Sequence, residues 1–238
     1  MVIAMAIDIV PELLENIQRD FNSKIKKSTK LKSIQKAIDN GTATYTQANE
    51  YAVEVGSILA SVFKTHIKSD VLPDGHMYYN IAERILTPTL TENYVIVTRV
   101  SAEVQEQLNR SVGLGLKGIE APVNNHRIDS IINRITAEEV FDDVAWILQE
   151  PIVNFTQSSV DETIKVNVDF QGESGLSPTI IRVTDAEPCD WCRSLAGIYK
   201  YPNVPDDVYA RHDRCRCTVE YDPGDARRQD IWTKEWRS

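Results

Sequence analysis

The sequence predicts a mainly α-helical protein, with a helical body over residues 1–172 and a small α+β zinc-knuckle module over residues 173–238. Two observations support this fold class. Apolar residues recur at three- and four-residue spacing through the first two thirds of the chain, and strand patterns appear only beyond residue 170. All four cysteines lie between Cys189 and Cys217, which indicates a local metal site rather than a set of disulfides.

The first predicted helix begins at Pro11, since proline suits the first turn of a helix. Its apolar stripe continues less regularly as far as Ile38, and Asn40-Gly41 is a typical helix end. A second helix is predicted from Thr46 to Ile67. The stripe of the first helix consists of Val10, Leu13, Leu14, Ile17, Phe21 and Ile25.

The middle of the chain is also predicted to be helical. A short helix is expected to end near Pro88, and a longer one to run from about residue 91 to 112. The glycine-rich segment 113–122 contains a G-x-G-x-x-G pattern, but that pattern follows a helix rather than a strand, so we predict a loop and not a dinucleotide site. Helical spacing returns at 128–135 and continues from Ala137 towards Phe170.

The composition and the apolar spacing of the sequence change after residue 170. Glycines at 172 and 175 and a proline at 178 interrupt the helical pattern, which places the boundary near residues 171–178. Segments 179–184 and 218–221 have the composition of β-strands, and we predict a strand in each. The carboxyl-terminal module is therefore predicted to contain both strands and the cysteine cluster.

The strongest chemical signal is Cys189-Asp-Trp-Cys192, followed by His212-Asp-Arg-Cys215-Arg-Cys217. A Cys-x-x-Cys turn places two thiolates on one edge of a tetrahedron, and cysteines two apart on an extended segment face the same side. We predict one structural Zn²⁺ ion with no open coordination position. Five residues compete for its four positions, and their number favours the thiolates without deciding the set: Cys189, Cys192, Cys215, Cys217 and His212.

Other roles for these residues fit less well. A redox Cys-x-x-Cys pair would not require the second cluster, and a thioredoxin-type βαβ context is missing. A nucleophilic Cys192 with His212 and Asp213 leaves three cysteines unexplained. Zinc-dependent hydrolysis would need a bound water and a base such as Asp190 or Asp213. We therefore predict no catalytic residue.

Composition limits the partners. The net charge of −9 argues against general electrostatic binding of duplex nucleic acid, which depends on Lys and Arg. The lysine run from Lys24 to Lys36 is therefore interpreted as a solvated helix face. The sequence indicates no signal peptide and no membrane span, so we expect folding in a reducing cytoplasm. Trp232 and Trp236 are predicted to dock onto the module or a partner, because a short tail frays unless something holds it.

The cysteine module resembles the carboxyl-terminal region of phage minor head proteins similar to the F protein of phage Mu, in the form found in tailed phages of Gram-positive hosts. The resemblance covers roughly residues 180–238. It rests on Cys-x-x-Cys, on Leu195-Ala-Gly197 and on His-x-x-Cys-x-Cys, with Tyr199 and 208–212 between them and 218–221 after them.

This resemblance implies a virion protein that acts in head morphogenesis. Such a protein is placed in the capsid interior after assembly in the host cytoplasm, is associated with the portal, and influences DNA exit. The implied partners are the portal protein and the major capsid or scaffolding protein; packaged DNA is a weaker expectation because the chain is acidic. The alternatives are a zinc-dependent hydrolase or nuclease, and a zinc-knuckle adaptor unrelated to capsids.

Overall fold

The computed structural model describes residues 8–212 and 214–224, and the backbone of 228–229 and 236–237. Within these ranges the protein is mainly α-helical with a small carboxyl-terminal sheet, which confirms the predicted fold class. None of the helices in this part of the chain is both long and apolar enough to cross a bilayer. The helices are α1 (Val10–Lys27), α2 (Thr29–Asp39), α3 (Tyr45–His66), α4 (Tyr79–Ser111), α5 (Asn125–Ile135), α6 (Phe141–Val144), α7 (Glu150–Glu173) and α8 (Asp190–Ser194). The strands are β1 (Thr179–Val183), β2 (Gly197–Lys200), β3 (Thr218–Asp222), β4 (Arg228–Gln229) and β5 (Trp236–Arg237).

The amino-terminal helices follow the predicted apolar stripes, with one break. Ser28 has extended backbone angles and separates α1 from α2, and its side chain accepts a hydrogen bond from the backbone N–H of Leu31. Helix α3 begins with a capping box between Thr44 and Gln47, in which each side chain accepts a hydrogen bond from the backbone N–H of the other residue.

The predicted helix end near Pro88 is wrong, because α4 runs through this residue as one helix. Proline lacks the N–H that would bond to the preceding turn, a loss that costs about 3 kcal/mol in a helix interior. Leu86 and Leu90 on either side of it are fully buried, and burying each such side chain contributes about 1.5–3 kcal/mol. Tertiary packing therefore outweighs the local cost of the proline.

The helix predicted from Ala137 onwards is also divided. Helix α6 is a single turn, a 3₁₀ turn follows at Ala145–Leu148, and α7 starts anew at Glu150. Pro151 lies in the first turn of α7, where its missing N–H has no intrahelical partner to lose. The proline thus begins a helix instead of lying within one.

Helices α3 and α7 cross closely at the centre of the body. A Cβ atom on Gly56 of α3 would lie 2.9 Å from the Cα of Val153 and 2.9 Å from the Oγ1 of Thr156, both on α7. Only glycine permits this approach of the two backbones. Helix α7 is the element against which the carboxyl-terminal residues also pack.

The three-stranded sheet has the order β2-β1-β3, with both pairings antiparallel. Its inward residues Ile180, Val219 and Tyr221 belong to the same hydrophobic cluster as the helices. Thr46 at the start of α3 donates a hydrogen bond of 2.7 Å to Glu220 on β3, 174 residues further along the chain. The sheet is therefore packed on the helical body through one continuous core. A second, two-stranded sheet pairs β4 with β5.

Candidate metal centre

Short local structures bring the predicted ligands into position. Cys189 is the N-cap of α8, where its Sγ accepts a hydrogen bond of 3.4 Å from the backbone N–H of Cys192. Arg214 has a left-handed backbone (φ 59°), and in the same turn the N–H of Cys215 donates to the carbonyl of His212. This turn directs the chain back to the cysteines that precede β3.

All five predicted ligands lie together, as two groups of three that share Cys192. Within each group the ligand atoms lie within 4.8 Å of one another. The first group contains Cys189, Cys192 and His212, and the second contains Cys192, Cys215 and Cys217.

Cys192 lies at a distance from Cys215 that suits two ligands of one tetrahedral ion. Its Sγ lies 3.8 Å from the Sγ of Cys215, and two sulfurs bound tetrahedrally to zinc at about 2.3 Å would be about 3.8 Å apart. The Nε2 of His212 lies 3.4 Å from the Sγ of Cys189 and 2.9 Å from that of Cys192. The cluster is therefore able to hold a metal ion, and Cys192 is common to both groups.

The two cysteines at the start of α8, the N-cap Cys189 and the helical Cys192, have different electrostatic environments. The backbone N–H of Cys192 lowers the pKa of Cys189, which is exposed. Burial, followed by the neighbouring thiols of Cys217 and Cys215, raises the pKa of Cys192. A bound cation would reverse this second effect, because metal coordination deprotonates a thiol.

A buried arginine that the sequence interpretation did not single out contacts the cluster. Arg182 is 2% exposed and donates to the carbonyls of Val208 (2.6 Å) and Ala210 (3.1 Å), and to the Sγ of Cys215 at 3.7 Å. This contact places a positively charged side chain beside one of the predicted ligands. Strand alternation offered a signal, because Arg182 shares the inward face of β1 with Ile180.

A buried ion pair fixes the segment next to the ligands. The guanidinium of Arg211 binds the carboxylate of Asp161 on α7, and both side chains are 1% exposed. Arg211 also donates to the carbonyl of Cys217 at 2.9 Å and to Asn49 on α3 at 3.1 Å. Burial raises the pKa of Asp161, and Arg211 opposes that rise. No local sequence pattern predicts this pair, since its members are 50 residues apart.

The remaining sequence candidates lie at or beyond the edge of the site. The side chain of Asp190, considered as a hydrolytic base, is 98% exposed and pairs with Arg193. Asp213 and Trp232 lie outside the described residues, and for Trp236 only the backbone, in β5, lies within them. Trp191 makes an edge contact with His212, with ring centroids 5.6 Å apart.

Comparisons with known proteins do not assign the chain to a family. We found no match for it among protein-family models, curated proteins or solved structures. The likeness to phage minor head proteins therefore rests on the sequence pattern between Cys189 and Tyr221. The site itself establishes a cysteine and histidine cluster with the geometry to hold a metal ion.

Proposed function

We propose that the carboxyl-terminal module is a structural zinc knuckle that fixes this end of the chain on the helical body. The observation that supports it best is the convergence of five zinc-type ligands around the buried Cys192. The same segment is attached to α7 by the ion pair of Arg211 with Asp161, and by a hydrogen bond of 3.2 Å from Asn154 to the carbonyl of His212. Candidate ligands and residues that contact α7 alternate along this stretch of chain. A metal that orders the ligands would therefore also order the contacts with α7.

Metal analysis tests the knuckle. Protein purified under reducing conditions is expected to carry about one zinc ion per chain, because a closed structural site needs four protein ligands and one ion. Removal of the metal by a chelator, or by acid that protonates the ligands, should make the buried thiols reactive and the module sensitive to protease. Re-addition of zinc should restore protection. Full thiol reactivity and no bound metal in the freshly purified protein would contradict the proposal.

We further propose that the chain is a phage minor head protein that acts in head morphogenesis inside the procapsid, next to the portal. The support is that the residues of the resembling motif, Cys-x-x-Cys and His-x-x-Cys-x-Cys, are those that form the cluster. In this role the knuckle supplies a rigid carboxyl-terminal end, and the helical body supplies the surface for a ring-shaped partner. The metal is structural and the protein performs no catalysis.

Co-expression tests this role. Tagged protein is expected to co-purify with the portal protein, and with shell particles when the major capsid and scaffolding proteins are also present. The test variant is Cys192→Ser. It should reduce the amount of protein captured with the portal if the knuckle supports the surface that binds the partner. Absence of the protein from both portal and shell fractions would reject the head role and favour an adaptor. Metal-dependent cleavage of nucleic acid would favour the nuclease alternative instead.

A further inference from the structure

We propose that a small cavity between α5 and α7 binds a phosphate-type oxyanion. The cavity has a volume of about 150 Å³, and its lining includes His212, one of the candidate metal ligands. Its wall contains three arginines, Arg127 and Arg134 from α5 and Arg211 from the segment before the cysteines. This site is distinct from the cysteine cluster, and no part of the proposed head role requires it.

The size of the cavity favours a small ion. Pockets for organic ligands usually measure about 300–1,000 Å³, whereas this one measures about 150 Å³. A phosphate group fits within such a space, and the planar guanidinium fork of arginine matches its oxygens with paired hydrogen bonds.

Two of the three guanidinium groups make no ion pair within the part of the chain that the structure describes. Among the described residues, neither Arg127 nor Arg134 forms an ion pair or a side-chain hydrogen bond. Arg134 lies over the ring of Trp146, with 5.2 Å from its guanidinium carbon to the ring centroid. Arg211 is already neutralised by Asp161. Two cations without an ion pair among the described residues thus line one cavity in a chain whose net charge is −9.

The charge of Arg127 is also partly removed from water. Burial lowers the pKa of its guanidinium, while the carboxylates of Glu162 and Asp161 act in the opposite direction. Neither carboxylate lines the cavity. A partly desolvated cation without a hydrogen-bonded counter-charge is unfavourable, and an oxyanion in the cavity would supply both the charge and the acceptors.

Isothermal titration calorimetry tests the site. The protein is titrated with inorganic phosphate at low and constant ionic strength. Arg127→Ala and Arg134→Ala should each weaken phosphate binding at least about tenfold, because each removes charged hydrogen-bond donors to the anion. Arg110→Ala is the matched control: this arginine is 69% exposed, pairs with Glu106 on α4, and should leave phosphate affinity unchanged.

A second measurement protects the test against variants that fail to fold. In the unaltered protein, phosphate should shield Arg127 and Arg134 from an arginine-specific dicarbonyl reagent, read by peptide mass spectrometry, and leave Arg110 reactive. A nucleoside monophosphate in place of phosphate shows whether the group is bound free or on a larger molecule. Equal protection by chloride at matched ionic strength, unchanged affinity in both alanine variants, or binding of an oligonucleotide without binding of phosphate would overturn the proposal.

Discussion

Replacing Cys192 with serine is expected to abolish metal binding and to destabilise the protein more than any other single ligand change. Cys192 is 1% exposed and is the one ligand common to both groups, so its loss breaks every four-ligand arrangement around it. Metal-ligand free energy is folding free energy in small modules of this kind. We expect metal content to fall to zero and unfolding stability to drop by at least about 3 kcal/mol, or about 6–12 °C in melting temperature for a domain of this size.

Comparison with the other ligands makes this result decisive. Cys189→Ser removes an exposed residue that belongs to one group only. If His212 completes the site, the affinity for metal should be reduced but not abolished. Cys217→Ser tests the opposite side in the same way. Ser194→Ala is the control on α8, because this exposed hydroxyl donates only to the carbonyl of Trp191. Normal metal content in Cys192→Ser would show that the cluster does not bind as proposed.

Asp161→Asn is expected to cost about 3–5 kcal/mol of unfolding free energy, because it leaves the guanidinium of Arg211 buried without its counter-charge. The substitution preserves the shape of the side chain, so the loss reports charge rather than volume. Arg211 would keep its bonds to Cys217 and Asn49, but neither acceptor carries a negative charge. Urea unfolding, monitored by circular dichroism, measures the change.

Asp169→Asn on the same helix is the matched control. Asp169 pairs with Lys165 at 2.8 Å, but their side chains are 46% and 33% exposed, and such pairs contribute about 0–1 kcal/mol. If Asp161→Asn were no more destabilising than Asp169→Asn, the buried pair would not be what holds the knuckle to α7.

The features that the sequence predicts well are those encoded locally. Apolar spacing predicts α1, α3 and α5. The close spacing of the four cysteines and His212 predicts the five residues whose ligand atoms lie together. Pro88 misleads because its local cost is visible in the sequence, whereas the burial of Leu86 and Leu90 depends on the whole core. Local spacing favours an interruption at this position, but long-range packing preserves the helix.

Helix α7 shows why the partners of the site were not predictable. Its buried face is rich in polar residues, which a sequence pattern would assign to the solvent side. The hydroxyls of Ser158 and Thr163 donate to carbonyls of their own helix, at 2.7 and 2.8 Å, so burial leaves them satisfied. Asp161 stands among them in sequence without any sign that it faces an arginine 50 residues away.

The contact between Thr46 and Glu220 has a consequence for the order in which the chain matures. During synthesis Thr46 on α3 leaves the ribosome 174 residues before Glu220 on β3. The surface of α3 that contacts β3 therefore stays uncovered until the strand has been made. Contacts this distant in sequence form late, because closing a long loop costs entropy before the contact is made. The helices can pack together first, and the carboxyl-terminal strands then complete the core that the helices leave open.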